Sequence, residues 1–169
     1  MNNPDYRKAE KKAAELLKEC YINAPPVVAN EIAEHLRINV VLADFSKVNS
    51  LLANIAGFMS SENQTIYVNC TDSIKRRNFT IAHEIGHFLL KHTGTSEYSD
   101  LIFRSPYAAG EEKPPMEKEA DCFAANLLVP KNFLQKVIKN YPYISDAQLS
   151  NIFGVNEIVI RIRKQNAGV

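Results

Sequence analysis

Two histidines and a glutamate stand at the spacing that a helix needs to build a metal-dependent hydrolase site. His83 and His87 flank the segment Glu84-Ile85-Gly86. Residues four apart on a helix lie one turn above each other on the same face, so both imidazoles can reach a single ion. Glu84 projects about a quarter turn away, where a general base can reach a metal-bound water. The spacing therefore predicts His83 and His87 as metal ligands and Glu84 as the catalytic base.

Zinc is the metal that we expect at this site. It binds nitrogen and oxygen ligands tetrahedrally, and its catalytic sites keep one position open for water, whose pKa falls to about 7 when bound. Glu84 would accept a proton as this water attacks a carbonyl group that the metal polarises. It would then pass the proton to the leaving amine. The predicted chemistry is hydrolysis of an amide bond.

A solvated helix face could carry the same three residues without a metal. Apolar side chains on all sides of the predicted helix argue against that alternative: Ile74, Phe79, Ile81, Ile85, Phe88 and Leu90. A helix that is apolar all round is buried, and buried histidines need partners, which a metal ion provides. Gly86, beside the ligand face, would let another part of the chain or a ligand come close.

A third protein ligand is predicted on the helix that opens at Pro114-Pro115 and continues over residues 116–129. Glu117 shares the small and apolar face of this helix, whereas Glu119 points the opposite way. We predict Glu117 as the ligand, with Glu119 as the alternative. Asp121, one turn after Glu117, is placed to accept a hydrogen bond from a ligand histidine and orient it. A solvated helix N-terminus, where the helix dipole favours acids, would explain the same carboxylates without a metal.

The other two histidines receive weaker predictions. His92 lies half a turn from the direction of the two ligands if the helix continues, so it is a poor ligand by geometry. A frayed helix end would bring it near the site as a transition-state donor. His35 is predicted to be a surface or boundary residue.

Composition excludes several classes of protein. The 169 residues fit one domain, 46% are hydrophobic, and the net charge is +1, so no global field recruits nucleic acid or a membrane. The N-terminus is charged rather than apolar, and no run reaches the length of a membrane span. The three cysteines, Cys20, Cys70 and Cys122, form no CxxC pair and are predicted to be free thiols in a reducing compartment. We therefore expect a cytoplasmic protein.

Short strands and helices are predicted on both sides of the metal motif. Helices are expected over residues 5–20 and 27–36, and strands over 39–43, 55–60 and 64–69, the last two joined by a polar turn. Alternation in the third strand predicts a core face, with Ile66 and Val68, and a wet face, with Thr65, Tyr67 and Asn69. One strand could form an exposed edge beside the cleft, to which an extended peptide could add.

The segment of residues 93–113 shows little regular pattern apart from Leu101-Ile102-Phe103. Loops of this length in a compact domain are usually functional, so we predict a lid or a substrate-binding flap. A disordered insertion is the alternative.

Taken together, the motifs resemble those of the ImmA/IrrE metallo-endopeptidases. The resemblance rests on three segments, Thr65–Asn69, Arg77–Leu90 and Glu117–Pro130, and covers most of the chain from Pro25 onward. It implies a gluzincin-type, zincin-like fold in which His83, His87 and Glu117 bind Zn²⁺ and Glu84 is the base. It also implies cleavage of repressors or other transcription factors, as in derepression switches of mobile elements or stress responses.

The C-terminal tail is expected to form a short helix, a turn at Gly154 and a second helix, which resembles a helix-turn-helix. Its basic residues are Arg161, Arg163 and Lys164. Members of the resembled family often carry a similar tail, which could hold the substrate protein. Two helices that only cap the domain are the favoured alternative, because the chain is nearly neutral; direct nucleic-acid binding is not expected.

We therefore predict an α+β fold in which helices pack on a small antiparallel sheet of about three strands. Residues 1–142 would form the zinc metallopeptidase domain and residues 143–169 a helical appendage packed on it. The predicted function is endoproteolytic cleavage of a specific intracellular regulatory protein, with a DNA-binding repressor as the expected partner and no membrane involvement. The alternative is a non-catalytic metal-bound regulator that acts through protein or DNA binding by its tail. Hydrolysis of non-peptide amides would use the same site chemistry.

Overall fold

Helices and one small sheet build an α+β fold. The computed structural model describes residues 3–47, 55–92 and 112–169, so nearly all of the predicted lid lies outside the described residues. The described helices are α1 (Tyr6–Glu19), α2 (Ala29–His35), α3 (Ile74–Leu90), α4 (Pro115–Leu128), α5 (Lys131–Asn140), α6 (Asp146–Phe153) and α7 (Glu157–Ala167). The described strands are β1 (Asn39–Ala43), β2 (Gly57–Ser60) and β3 (Thr65–Asn69), and a single 3₁₀ turn spans Phe45–Lys47. Each helix and strand predicted above is present, with ends that differ by a few residues.

The sheet is mixed, so the prediction of an antiparallel sheet is wrong. Its strand order is β1-β3-β2. The hairpin of β2 and β3 is antiparallel as expected, but β1 runs parallel to β3, with Asn39 opposite Thr65. Alternating side chains do not reveal the direction of a partner strand. The long connection from Ala43 to Gly57 leaves the chain free to cross to the far edge of the sheet, as parallel pairing with β3 requires.

Strand β3 is buried on more residues than its alternation suggested. Ile66 and Val68 lie in the core as predicted, but Thr65 and Asn69 are also buried, which contradicts the predicted wet face. The reason is that β3 is the central strand, flanked on both sides. The buried polar groups are satisfied locally: Thr65 donates to the Asn63 carbonyl (3.1 Å), and the Asn69 side chain donates to the Ile55 carbonyl (3.2 Å).

Helix α3 begins and ends with side chains and backbone that satisfy its free groups. The Ser73 hydroxyl accepts from the N–H of Arg76 (3.3 Å) and so caps the first turn. At the other end Lys91 adopts the left-handed conformation (φ 59°), and the N–H of His92 turns back to donate to the His87 carbonyl (3.1 Å). The chain therefore turns at Lys91, directly before His92.

The first turn of α3 has no buried residue, which corrects the expectation of a helix buried on all sides. Ile74 is 76% exposed and Phe88 38%, whereas Ile81 and Ile85 lie in the core. The buried stretch contains the metal motif because α4 packs across it. Gly86 makes this close packing possible, since a Cβ there would lie 2.9 Å from Cδ1 of the buried Phe123.

The first helix and the tail share one hydrophobic core with the rest of the chain. Ala9 and Leu16 of α1 belong to the same cluster as Phe153 and Ile160 of the tail. Gly154, with a φ of +65°, forms the turn between α6 and α7. Among the described residues, no helix combines the length and the apolar character that a membrane span requires.

Asn78 on α3 ties three backbone segments together. Its side-chain oxygen accepts from the N–H of Ala29 (2.8 Å), and its amide donates to the carbonyls of Val27 (3.1 Å) and Gly154 (3.4 Å). One side chain thus fixes α3 against the start of α2 and the turn of the tail.

Candidate metal centre

Two neighbouring helices bring the predicted ligands together. Helix α3 supplies His83 and His87, and α4 supplies Glu117; within the described part of the chain these three form a group whose ligand atoms could hold one metal ion. The close approach of α3 and α4 at Gly86 is what places the carboxylate across from the imidazoles.

The distances between the donor atoms fit a metal of zinc's size. The two Nε2 atoms lie 2.9 Å apart, and the Glu117 carboxylate oxygens lie 3.2 Å from Nε2 of His83 and 3.2 Å from Nε2 of His87. Ligand bonds of about 2.0–2.2 Å in a tetrahedron separate the donor atoms by roughly 3.3 Å. Two imidazole nitrogens and a carboxylate are also ligands that zinc accepts. The donor set therefore fits the predicted metal in chemistry and in size.

Glu117, not Glu119, faces the two ring nitrogens. Glu119 lies elsewhere: its Oε2 is 3.0 Å from Nε2 of His92, and its Oε1 accepts from the N–H of Asp5 (2.8 Å). The two acids are two residues apart on α4, so they project in different directions. This separation follows the helical-face reasoning applied to the sequence.

Asp121 contacts His83 on the side opposite to the centre. Its Oδ1 lies 2.9 Å from Nδ1 of His83, and its Oδ2 accepts from Nζ of Lys113. A proton on Nδ1 that is donated to Asp121 leaves the lone pair of Nε2 directed at the centre. Asp121 thus has the position predicted for it. Lys113 was not singled out from the sequence, because nothing in its neighbourhood marks a contact with α4.

His92 lies beside His87, and the two Nδ1 atoms are 2.9 Å apart. The helix ends at Leu90, and the left-handed Lys91 turns the chain so that His92 lies near the centre, which is the alternative given above for a frayed helix end. His92 does not belong to the described group of ligand atoms that could hold one ion. In the sequence, the Thr93-Gly94 pair indicates that the helix ends close to His92. His35 is exposed on α2, as predicted.

Glu84 lies in the cavity that opens beside the centre. It is only 3% exposed, and it lines a cavity of about 290 Å³ together with His83 and Glu117. The opposite wall includes Ile55, Ala56 and Gly57, at the start of β2. Within the described residues β2 pairs only with β3, so it is the sheet edge beside the centre. The predicted base, the ligands and a strand edge therefore share one cavity.

Burial and hydrogen bonds between the ionisable groups at the centre shift their pKa values. Burial opposes protonation of His83, but hydrogen bonds with Asp121 and Glu117 outweigh it and raise its pKa to about 9. Burial dominates at His87 and lowers its pKa. Burial alone would raise the pKa of Glu117, yet the hydrogen bonds to both histidines hold it well below its ordinary value. The carboxylate is thus ionised and available as a ligand near neutral pH.

Comparison with known proteins places the chain in a family. Residues 33–164 match the family model for the IrrE N-terminal-like domain, peptidase family M78. The chain is also 24% identical over 139 residues to metallopeptidase ImmA of Bacillus subtilis (strain 168), an alignment that covers 82% of this chain and 75% of the relative. The family match spans α3 and α4 and so includes the three residues that could hold a metal. The chain belongs to the ImmA/IrrE family of metallopeptidases.

Proposed function

We propose that this protein is a zinc-dependent endopeptidase that cleaves a specific intracellular regulatory protein. The observation that carries the proposal is the meeting of three donor atoms, from His83, His87 and Glu117, at the wall of a cavity that also holds Glu84. The proposal includes a zincin-like arrangement of α3 and α4, a cytoplasmic location, and a peptidase domain over residues 1–142 with a helix-turn-helix-like appendage over 143–169.

The protein side chains divide the chemistry between them. His83, His87 and Glu117 would hold the metal, and Asp121 would orient His83. A bound Zn²⁺ would polarise the substrate carbonyl and lower the pKa of water. Glu84 accepts the proton of the attacking water and returns it to the leaving amine. Its near-complete burial beside the ligands keeps the carboxylate at the reacting atoms.

The edge of β2 is the surface on which the substrate would be aligned. An extended peptide that adds to this edge gains backbone hydrogen bonds and lies along the cavity that Glu84 lines. Backbone pairing accepts any sequence, so specificity would come from contacts elsewhere, including the tail. A DNA-binding repressor is the substrate that we propose, as the resemblance to the ImmA/IrrE family implies.

The rival function, a non-catalytic regulator that acts through its tail, receives less support from the geometry. The basic residues of the tail are occupied within the protein: Arg161 pairs with Glu157 (3.1 Å) and Lys164 with Asp146 (3.0 Å). Arg163 is buried, and its Nε donates to the Val129 carbonyl (2.9 Å). The tail therefore offers few cations for the phosphate contacts that supply most of the affinity for DNA. Salt-dependent DNA binding that survives loss of Glu84 would nevertheless favour this rival.

The substitution Glu84→Gln tests the proposal. It removes the base and keeps the shape, so we expect about one zinc per chain, as in the wild type, and cleavage slower by about 10²–10⁴-fold. The assay incubates the zinc-loaded protein with the repressor encoded nearby and follows a defined cut by mass spectrometry. The control is Glu34→Gln, on the exposed surface of α2, which should cleave at the wild-type rate. Equal cleavage by the Glu84→Gln protein would refute the assignment of the base.

A further inference from the structure

A chain of hydrogen bonds leads from His87, away from the centre, to the first helix of the protein. We propose that His92 and Glu119 form a positioning relay that holds His87 with its Nε2 lone pair facing the metal, and that the backbone N–H of Asp5 secures the relay. The inference rests on the proposed metal centre. The proposed catalytic chemistry does not use His92, Glu119 or the start of α1, and the relay assigns them a function.

The three contacts of the relay have hydrogen-bond lengths. Nδ1 of His87 lies 2.9 Å from Nδ1 of His92, and Nε2 of His92 lies 3.0 Å from Oε2 of Glu119. Oε1 of Glu119 accepts from the N–H of Asp5 at 2.8 Å. The side chains are shielded from water, with exposures of 2% for His87, 8% for His92 and 13% for Glu119. Water therefore competes weakly with these bonds.

The direction of every proton in the relay follows from the chemistry of its two ends. The Asp5 N–H can only donate, and an ionised carboxylate can only accept. Glu119 must therefore accept from Nε2–H of His92, which leaves Nδ1 of a neutral His92 as an acceptor. His87 then donates from its Nδ1–H to His92, and its own Nε2 keeps a lone pair. The opposite tautomer of His92 would set the Nε2 lone pair against the ionised carboxylate of Glu119 at 3.0 Å.

The fold builds this relay from three separate segments. The left-handed turn at Lys91 directs His92 back over the end of α3, and α4 supplies Glu119 on the face opposite to Glu117. Helix α1 adds Asp5 and also Lys8, whose Nζ donates to the Leu90 carbonyl at 3.3 Å. This helix lies outside residues 33–164, the part that matches the family model. The N-terminal helix is thus joined to a ligand of the centre by direct contacts.

The second ligand histidine has a comparable support. Asp121 contacts Nδ1 of His83 and is itself held by Lys113. Each imidazole therefore has a partner at Nδ1, and each Nε2 faces the centre, where Glu117 and the other Nε2 lie. Such outer contacts typically change metal affinity or activity by 10–100-fold when they are removed.

Zinc affinity and the tautomer of His87 test the relay without any substrate. Chelator competition measures zinc binding in His92→Leu, which removes the acceptor, and in His92→Asn, whose amide oxygen can replace Nδ1. We expect a loss of about 10–100-fold for His92→Leu and recovery of most of it for His92→Asn. The control Glu112→Gln removes an exposed acid near the start of α4 and should leave affinity unchanged.

Nitrogen NMR of the zinc-free protein provides a readout that a merely structural role would not move. We expect the Nδ1–H form of His87 in the wild type and a larger Nε2–H population in Glu119→Gln, because an amide donor then faces the relay. Asp5→Pro, which lacks the N–H, should weaken zinc binding more than Asp5→Ala, which keeps it while losing the same helix cap.

An Nε2–H form of His87 in the wild type would overturn the relay. So would zinc affinity within twofold of the wild type for both His92→Leu and Glu119→Gln. Circular dichroism of each variant shows whether it folds. None of these measurements uses cleavage, so failure of the relay and failure of the proposed peptidase activity are distinguished.

Discussion

Gly86 offers a sharp test of how the packing of α3 and α4 controls the metal centre. In Gly86→Ala the new Cβ would lie 2.9 Å from Cδ1, 3.2 Å from Cγ and 3.3 Å from Cβ of Phe123. Contacts this short require a shift, and the Phe123 ring is fully buried, so it has little room to move. The clash must therefore push α4 away from α3 or distort the ring.

The expected effect on the free energy of unfolding is the balance of two opposing terms. Overpacking of a core typically costs about 1–3 kcal/mol. Replacing Gly by Ala inside a helix recovers about 1 kcal/mol of helix propensity. Because the three contacts involve a ring with no exposed edge, the clash should lie in the upper part of its range. We expect Gly86→Ala to destabilise the protein by about 1–2 kcal/mol.

Urea unfolding of the zinc-free protein measures this change, and chelator competition measures zinc affinity in parallel. Zinc binding should weaken because α4 carries Glu117 away from the histidines as it moves. The double variant Gly86→Ala with Phe123→Ala removes Cδ1 and Cγ, the two shortest contacts, so its cost should be about 2 kcal/mol less than the sum of the single costs. A Gly86→Ala protein more stable than the wild type, with full zinc affinity, would refute the reasoning, since that is the behaviour of an unobstructed helix position.

Three further expectations concern other parts of the fold. Asn78→Ala removes three hydrogen bonds to backbone groups and should lower the free energy of unfolding by about 2–4 kcal/mol in urea titrations. The control Asn126→Ala loses contacts within its own helix and should cost less than about 1 kcal/mol. Similar costs for the two variants would contradict the bridging role of Asn78. Burial raises the pKa of the Cys122 thiol to about 11, so only about 0.1% is thiolate at pH 8, and mass spectrometry should find its alkylation by iodoacetamide much slower than that of the exposed Cys70. Comparable alkylation rates would show that Cys122 is more open than its burial indicates. Lys91→Gly should raise the midpoint of thermal unfolding slightly and Lys91→Ile should lower it, because the left-handed conformation costs a residue with a Cβ about 1–2 kcal/mol. A lower midpoint for Lys91→Gly than for Lys91→Ile would exclude a left-handed Lys91.

Local spacing alone determined the parts of the centre that lie within one helix. Four residues make about one turn, so His83 and His87 share a face wherever the helix is placed, and Glu84 lies beside them. The same periodicity separated Glu117 from Glu119 and put Asp121 on the side of Glu117. Strand positions followed from apolar and β-branched runs bounded by polar turns.

Tertiary structure decided the strand pairing, the burial and the contacts that the periodicity of the sequence does not determine. The parallel pairing of β1 and the burial of Thr65 and Asn69 depend on which strand lies between two others, and no single strand contains that information. The position of His92 depends on one left-handed residue and on the packing of α1 and α4 around it. Helical spacing fixes directions around an axis, whereas the partner found in each direction depends on contacts between segments far apart in the chain.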